Sequence, residues 1–219
     1  MIAAIGDVHG CAQELRELIA KLLVRFGNSP ATIVMLGDYV DRGPDSAGVL
    51  DILMGWDHPT VKLVCLMGNH DYMMIRAVLH DDRDMQELWL TDDSGGVMTI
   101  MSMTDRIAAY TRWMEANLVT SHHVGDLFFA HAGVDPEKSI TEQEDDDLMW
   151  IREPFLSFPG DYGARVVHGH SPAFGSPEVR TNRVNLDTGC VFGGFLSAAV
   201  FDDTQALVAI ETVDPVLVI

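Results

Sequence analysis

The chain of 219 residues predicts an α/β fold in which helices flank one mixed β-sheet or two β-sheets. In the first half, strand-like runs rich in Val, Ile and Leu alternate with helix-like segments, which is typical of strands buried on both faces. In the second half, strand-like runs follow one another across turns such as Thr181-Asn182 and Asp202-Asp203, and this pattern predicts an antiparallel meander.

The predicted strands are eight short apolar runs. They cover Ala3–Ile5, Thr32–Leu36, Lys62–Met67, Leu127–Ala130, Arg165–His168, Arg183–Leu186, Phe195–Phe201 and Ala206–Val213. A first helix is predicted over Cys11–Phe26, because its Leu and Ile residues recur at helical spacing. A second, shorter helix is predicted over Ser46–Met54 for the same reason.

The stretch Tyr72–Asn117 differs from the rest of the chain, because it is rich in Met, Leu and polar residues and contains no clear strand. It predicts two or three helices, broken at Asp92-Asp93-Ser94-Gly95-Gly96. A core of this size would be marginal as a separate domain. We therefore expect a single domain over residues 1–219, with residues 72–117 as a helical insertion beside the functional site.

Composition narrows the class of protein. The apolar content of 47% and the charged content of 21% are those of a soluble globular protein. Neither a membrane span of ~20 apolar residues nor a signal peptide is recognised, so a cytoplasmic protein without a membrane partner is expected. The net charge of −19 disfavours nucleic-acid binding. The acidic run Glu142–Asp147 is expected to be a solvated loop, and the three cysteines provide no disulfide framework.

Five short segments place Asp, His or Asn beside small residues, and at least four of them follow a strand-like run. They read Gly6-Asp7-Val8-His9-Gly10, Gly37-Asp38-Tyr39-Val40-Asp41-Arg42-Gly43, Gly68-Asn69-His70-Asp71, Ala130-His131-Ala132-Gly133 and His168-Gly169-His170. Each segment alone has an ordinary structural explanation, such as a turn, a buried histidine or a surface ion pair. Their joint occurrence favours a site for two metal ions that is assembled from loops at strand ends.

The residue types in these segments suit divalent cations. Carboxylate oxygen and imidazole nitrogen are ligands for Mn²⁺, Fe²⁺ and Zn²⁺. We predict that the first ion is held by Asp7, His9 and Asp38. We predict that the second ion is held by Asp38, Asn69, His131 and His170. The Asp38 carboxylate, which has two oxygens, would then bridge the pair.

Such a site predicts hydrolysis of a phosphoester. Two divalent ions lower the pKa of a bridging water, bind phosphate oxygens and align the attack on phosphorus. A negatively charged substrate is compatible with the acidic chain, because two cations can reverse the local field. His70 is predicted to protonate the leaving group, with Asp41 to orient it. Arg42 is predicted to clamp phosphate oxygens with its planar guanidinium group.

At these residues the sequence resembles the calcineurin-like metallophosphoesterases, and within them the serine/threonine phosphoprotein phosphatase branch of phage and bacterial type. The first two motifs match Gly-Asp-x-His-Gly and Gly-Asp-Tyr-Val-Asp-Arg-Gly fully. In the third, Asp71 stands where glutamate is usual, and we expect it to be a structural group rather than a ligand. The resemblance extends from Gly6 to about Gly193.

The resemblance implies a four-layer β-sandwich flanked by helices, with two metal ions at one edge. These are usually Mn²⁺ in bacterial members, with Fe²⁺ and Zn²⁺ as alternatives. It implies the same ligands and proton donor as above, and it adds Arg152 to Arg42 as a phosphate-binding residue. For Arg152, the alternative is a surface ion pair with Glu153.

Several neighbouring residues are not assigned to the metals. His170 is the ligand implied by Gly169-His170-Ser171-Pro172, whereas His168 is expected to be packed in the interior. The pair His122-His123 is expected in a loop. Trp89 with Gly95-Gly96 fits either a position near the substrate cleft or a core anchor followed by a turn.

Three functions compete. The first is a protein phosphatase for phosphoserine and phosphothreonine, or also phosphotyrosine, which acts on phosphorylated proteins or small phosphoesters. The complete Asp41-Arg42 and Val8-His9 pairs favour this function. The alternative is a hydrolase of dinucleoside polyphosphates such as diadenosine tetraphosphate, which uses the same metals. The third is a non-catalytic scaffold, and the full set of ligands opposes it.

Overall fold

A computed structural model describes residues 1–216 of the chain, which form ten strands and seven α-helices in that range. The strands are β1 (Ile2–Ile5), β2 (Ala31–Met35), β3 (Val61–Cys65), β4 (Ser121–Val124), β5 (Leu127–Ala130), β6 (Arg165–His168), β7 (Glu178–Val179), β8 (Arg183–Asn185), β9 (Leu196–Phe201) and β10 (Leu207–Val213). The helices are α1 (Ala12–Phe26), α2 (Ser46–Met54), α3 (Asn69–Leu79), α4 (Arg83–Trp89), α5 (Gly96–Met103), α6 (Ile107–Asn117) and α7 (Asp145–Trp150).

The strands form two mixed sheets of five strands each. The first sheet has the order β10-β9-β1-β2-β3, in which β1, β2 and β3 are parallel and β9 and β10 are antiparallel. The second has the order β4-β5-β6-β8-β7, in which β5, β6 and β8 are parallel and the two edge strands are antiparallel. In the registers, Ile2 lies opposite Thr32 and Leu127 lies opposite Arg165.

The two sheets pack face to face, because alternate side chains along each strand point to opposite faces. Ala4 points into the core between the sheets, whereas Ala3 and Ile5 point to the helices outside the first sheet. The core between the sheets is entirely buried and is formed by Ala4, Val34, Leu36, Leu66, Leu127, Phe129, Val167, Val184, Leu186, Ala199 and Phe201. A separate apolar cluster, which includes Phe128 and Leu148 of α7, covers the outer face of the second sheet. The predicted α/β class and the flanked two-sheet architecture are confirmed.

All eight predicted strands and both early helices are present within one or two residues of their predicted ends. The predicted antiparallel meander is wrong in part. Strand β8 pairs with β6 in parallel, and β9 crosses to the other sheet beside β1. Strands β4 and β7 were not predicted, because β4 is the polar run Ser121-His122-His123-Val124 and β7 has only two residues. His122 and His123 thus lie in an edge strand rather than in a loop.

The acidic run Glu142–Asp147 was predicted as a loop, and this is wrong for its second half. Asp145, Asp146 and Asp147 form the first turn of α7. Carboxylates at a helix N-terminus are stabilised by the partial positive charge of the unpaired N–H groups. The Nζ atom of Lys138 also lies 2.5 Å from Oδ2 of Asp147.

The segment between β3 and β4 contains four helices, α3 to α6, with a break between α4 and α5 at the predicted Asp92–Gly96. These helices pack on one another and on α2 outside the first sheet. The boundaries of the single domain and the status of residues 72–117 as an insertion stay predictions. None of the helices in the described part of the chain combines the length and apolarity that a membrane crossing requires.

Phe129 tests how strongly the inter-sheet core stabilises the fold. It is fully buried, and its ring meets that of Phe201 edge to face at 6.4 Å across the two sheets. We expect Phe129→Ala to lower the free energy of unfolding by about 3–5 kcal/mol, because it leaves a cavity between the sheets. The free energy of unfolding is measured by urea titration at fixed metal concentration. The control Val24→Ala, on the exposed side of α1, should change this free energy by less than about 0.5 kcal/mol. Equal losses in the two variants would contradict this account.

Candidate metal centre and active site

The six predicted metal ligands lie at one edge of the molecule, just beyond the carboxyl ends of parallel strands. The ends of parallel strands bring side chains from distant parts of the chain to a common edge. All six are buried, and they follow β1 (Asp7 and His9), β2 (Asp38), β3 (Asn69), β5 (His131) and β6 (His170). The structure therefore brings together every residue that was predicted to bind metal.

Backbone strain is concentrated in these loops. Eight non-glycine residues in the described chain have a positive φ angle. Five of the eight are predicted site residues, namely His9, Asp38, Asp41, Arg42 and His170. Left-handed backbone is unfavourable for residues with a Cβ atom and persists where the surrounding structure compensates for it, as often happens at functional sites. The loops therefore adopt a locally unfavourable backbone conformation that places their side chains at the site.

His131 has the tautomer that a metal ligand requires. Its Nδ1 lies 2.9 Å from the carbonyl oxygen of Leu36, and because a carbonyl only accepts, Nδ1 carries the proton. Its Nε2 lone pair therefore faces Oδ1 of Asn69 at 3.0 Å and Oδ1 of Asp38 at 3.5 Å. Burial lowers the pKa of His131 and keeps the ring neutral. Three electron-rich atoms thus converge without a proton between them, which is the environment of a cation.

His170 completes this second set. Its Nδ1 lies 3.0 Å from Oδ1 of Asn69, and its ring meets that of His131 edge to face at 5.1 Å. Burial and the nearby His131 lower the pKa of His170 to about 2, so the ring is neutral, as a ligand must be. Its Nε2 is buried and has no hydrogen-bond partner within residues 1–216. The groups Asp38, His131 and His170 lie close enough together to hold one ion.

The first predicted set is Asp7, His9 and Asp38, and in the structure the donor atoms of His9 and Asp38 lie close to one of His70. Nδ1 of His9 donates to the carbonyl oxygen of Val40 at 2.7 Å, so its Nε2 lone pair faces the site and lies 3.3 Å from Oδ2 of Asp38. Burial raises the pKa of Asp7 well above its usual value, and the carboxylates of Asp187 and Asp38 raise it further. A divalent cation among these carboxylates would offset both effects. The residues of both sets fit a pair of divalent ions.

Asp71 connects two of the ligand loops without binding metal itself. Its carboxylate accepts hydrogen bonds from the backbone N–H groups of Asp38, Tyr39 and Gly68, at 2.8, 3.0 and 3.0 Å. It therefore fixes the loop after β2 against the start of α3. This agrees with the structural role that was expected for the residue that replaces the usual glutamate.

His70 and Asp41 form the predicted pair. Nδ1 of His70 donates to Oδ2 of Asp41 at 2.8 Å, and His70 also lies close to His9 and Asp38. Asp41 is fully buried and also accepts hydrogen bonds from Nε1 of Trp89 and from Oγ1 of Thr99, at 2.9 and 2.7 Å. Trp89 is a buried core residue that packs on Gly96, as the core-anchor alternative expected, and its Nε1 also holds the Asp41 carboxylate that contacts His70.

The two predicted phosphate-binding arginines line the same small cleft, which has a volume of about 180 Å³. Nη1 of Arg42 donates to Nε2 of His9 at 2.6 Å, and its Nε donates to the carbonyl oxygen of Asp93 at 3.3 Å. Arg152 is exposed, and no ion pair joins it to Glu153 in the described chain. The ion-pair alternative for Arg152 is therefore not supported.

Asp187 is a site residue that was missed. It is buried beside Asp7 and lines the cleft, and its Oδ1 accepts the N–H of Gly189 at 3.0 Å. Burial raises the pKa of its carboxyl group. A signal was present, because Leu186-Asp187-Thr188-Gly189 places an aspartate beside a glycine at the end of a predicted strand, as the other motifs do.

His168 is packed in the interior, as expected. It is fully buried, its Nδ1 donates to the carbonyl oxygen of Gly169 at 3.0 Å, and Nη1 of Arg183 donates to its Nε2 at 3.2 Å. Burial and the neighbouring guanidinium lower the pKa of His168 to about 3. His168 is therefore neutral and has both ring nitrogens occupied by protein groups.

Comparison with known proteins identifies the class. Residues 1–195 match the calcineurin-like phosphoesterases, so the chain belongs to this family of metal-dependent phosphoester hydrolases, whose members use a binuclear divalent metal centre. The resemblance to this family is confirmed.

Similar proteins extend over most of the chain. The asymmetrical bis(5'-nucleosyl)-tetraphosphatase PrpE of Halalkalibacterium halodurans is 28% identical over 92% of this chain and 90% of that protein. The symmetrical bis(5'-nucleosyl)-tetraphosphatase of Nitrosospira multiformis is 26% identical over 93% of this chain and 94% of that protein. A crystal structure described as a candidate diadenosine tetraphosphatase superposes with a TM-score of 0.69, with 26% identity over 98% of this chain and 93% of that one.

The prediction of a serine/threonine protein phosphatase is wrong. Relatives that are 26–29% identical over most of the chain are named for dinucleoside tetraphosphates. The Asp41-Arg42 and Val8-His9 pairs, on which the prediction relied, lie in the loops that carry the predicted metal ligands. Residues of these loops are expected in both kinds of phosphoester hydrolase, so they do not distinguish a phosphoprotein substrate from a nucleotide.

His131 tests the ligand assignment. We expect the wild-type chain to bind two Mn²⁺ ions, and His131→Ala to weaken the second by about 100-fold or more, because it removes one of four donors. Isothermal titration with MnCl₂ measures both sites. His122→Ala is the matched control, since His122 lies in the edge strand β4 and does not line the cleft. Two equally tight ions in His131→Ala would refute the assignment.

Proposed function

We propose that this protein is a metal-dependent hydrolase that cleaves a phosphoanhydride bond of dinucleoside tetraphosphates such as diadenosine tetraphosphate. The observation that carries the proposal is the match to bis(5'-nucleosyl)-tetraphosphatases over nine tenths of both chain lengths. The cleft supports the proposal, because the ligand loops and two arginines line a space that can hold a charged phosphate. The two arginines supply positive charge there in a protein with a net charge of −19.

In this proposal, Asp7, His9 and Asp38 hold one divalent ion, and Asp38, Asn69, His131 and His170 hold the other. Divalent ions in such a site lower the pKa of water and neutralise phosphate charge. We propose Mn²⁺ as the native metal, with Fe²⁺ and Zn²⁺ as alternatives, because the donors are a mixture of oxygen and imidazole nitrogen.

The remaining site residues act on the substrate. Arg42 and Arg152 bind phosphate oxygens, and Arg42 must then exchange its hydrogen bond with His9 for one with phosphate. His70 donates a proton to the leaving oxygen through Nε2, while Asp41 keeps the proton of Nδ1 in place. Water adds to phosphorus and loses a proton to solvent, the P–O bond of the anhydride breaks, and the leaving nucleotide takes the electron pair together with the proton from His70.

A comparison of substrates tests the proposed function. With Mn²⁺-reconstituted protein, we expect kcat/KM for diadenosine tetraphosphate to exceed that for a phosphoserine peptide by about 100-fold or more, because productive binding would use the nucleoside. Chromatography of the products distinguishes asymmetrical cleavage, which gives ATP and AMP, from symmetrical cleavage, which gives two ADP. We expect ATP and AMP. Asp38→Asn, which alters the bridging ligand, is the inactive control. A dominant rate on the peptide would overturn the proposal.

The leaving group tests the role of His70. His70→Asn should slow hydrolysis of an alkyl phosphate monoester by about 10²–10⁴-fold, because an alkoxide needs a proton to leave. Para-nitrophenyl phosphate and diadenosine tetraphosphate should be slowed much less, because their leaving oxygens are weakly basic. His123→Asn is the matched control, since His123 lies in β4. Equal slowing of all three substrates would count against His70 as the acid.

A further inference from the structure

Two phenylalanines stand out by their exposure. The chain contains nine Phe, four Trp and four Tyr residues, all within residues 1–216. Among them, only Phe174 and Phe192 are exposed, with 68% and 58% of their surface accessible. Large apolar side chains that stay in water on an otherwise acidic surface suggest a binding role when they lie together. These two do, because their ring centroids are 6.4 Å apart.

Both rings belong to loops that also carry site residues. Phe174 lies four residues after His170, and Phe192 lies five residues after Asp187 and lines the metal cleft. The backbone N–H of Ala173 donates to the carbonyl oxygen of Asp187 at 2.8 Å and joins the two loops. The ring of Phe174 also packs on Gly189, where an added Cβ would lie 2.6 Å from its Cε1 atom.

Arg42 connects this pair to the metal ligands. Its Cζ atom lies 5.5 Å from the ring centroid of Phe192, as in a cation–π contact. Its Nη1 atom lies 2.6 Å from Nε2 of His9. One side chain therefore separates the exposed rings from the ligand His9, and a substrate whose phosphate contacts Arg42 must pass close to them.

The cleft is too small for a whole nucleotide. Its volume of about 180 Å³ is below the roughly 300–1,000 Å³ of pockets that enclose a drug-sized ligand. Phosphate can enter, but the nucleoside attached to it must lie on the rim, where Phe174 and Phe192 are found. Stacking is a suitable interaction there, because it needs no positive charge and the protein carries a net charge of −19.

We infer that Phe174 and Phe192 form a nucleobase-binding platform at the rim of the metal cleft. This inference rests on the proposed function and adds the residues that recognise the nucleoside. The two rings are inclined at 65°, so a base can stack on one ring while its edge meets the other, but it cannot lie between parallel rings. Because every base has a π-face, the platform selects nucleotides over other phosphates without selecting one base.

Leucine and tryptophan variants test the platform, since leucine keeps the apolar surface but removes the aromatic face. We expect Phe174→Leu and Phe192→Leu each to lower kcat/KM for diadenosine tetraphosphate, relative to kcat/KM for tripolyphosphate, by about 10-fold. The double variant should lower this ratio further, and Phe174→Trp and Phe192→Trp should restore it. Phe174→Leu is the more informative variant, because it leaves the contact between Arg42 and Phe192 in place. Phe158→Leu, outside the cleft, is the control.

Binding without turnover separates the two proposals. Saturation-transfer NMR on Zn²⁺-loaded protein should give strong signals for the adenine protons of AMP, which disappear in the double leucine variant, and no comparable signals for ribose 5-phosphate. If wild-type protein fails to hydrolyse diadenosine tetraphosphate but still gives these signals, the proposed function fails and the platform stands. If hydrolysis proceeds and the leucine variants match wild type in both assays, the platform is refuted. If the leucine variants differ from wild type only in oligomeric state, the platform is refuted as well, since the two rings would then form part of an interface between protein copies.

Discussion

The arrangement of this protein depends on one electrostatic constraint: carboxylates and neutral imidazoles are buried with their lone pairs directed at one another. Nε2 of His131 faces Oδ1 of both Asn69 and Asp38, and Asp7 lies beside the carboxylate of Asp187. Such contacts are unfavourable unless a cation lies between the groups. The arrangement therefore favours a divalent ion between these groups.

The rest of the fold holds these groups in position. The two sheets bring the carboxyl ends of six parallel strands to one edge, and the inter-sheet core makes that edge rigid. Asp71 fixes the loop after β2 through three backbone N–H groups. The helices between β3 and β4 contribute Trp89 and Thr99, which hold Asp41. The left-handed residues in the ligand loops show that the tertiary structure compensates for local backbone strain.

The error about substrate has a clear physical cause. The sequence motifs consist of the predicted metal ligands, the predicted proton donor with its partner, and one arginine, and all of these roles concern the reacting phosphate. A phosphoprotein and a dinucleotide present the same phosphate chemistry to these groups. They differ in what is attached to the phosphate, and we propose that residues at the rim of the cleft such as Phe174 and Phe192, which belong to no short motif, contact that part. A motif match therefore identifies the reaction class better than the substrate.

The sequence by itself determined the early strands and helices, because these depend on local apolar periodicity. It also predicted which side chains at the strand ends lie together, including the His70–Asp41 pair, because such residue types at strand ends are typical of a metal centre. It did not determine that β8 lies parallel to β6 or that β9 joins the other sheet, since strand pairing depends on contacts between distant residues. The contribution of Asp187 to the cleft and the support of Asp41 by Trp89 and Thr99 were also decided only by the tertiary structure. In each of these cases the two partners are far apart in the chain, and the packing of the sheets and helices alone brings them into contact.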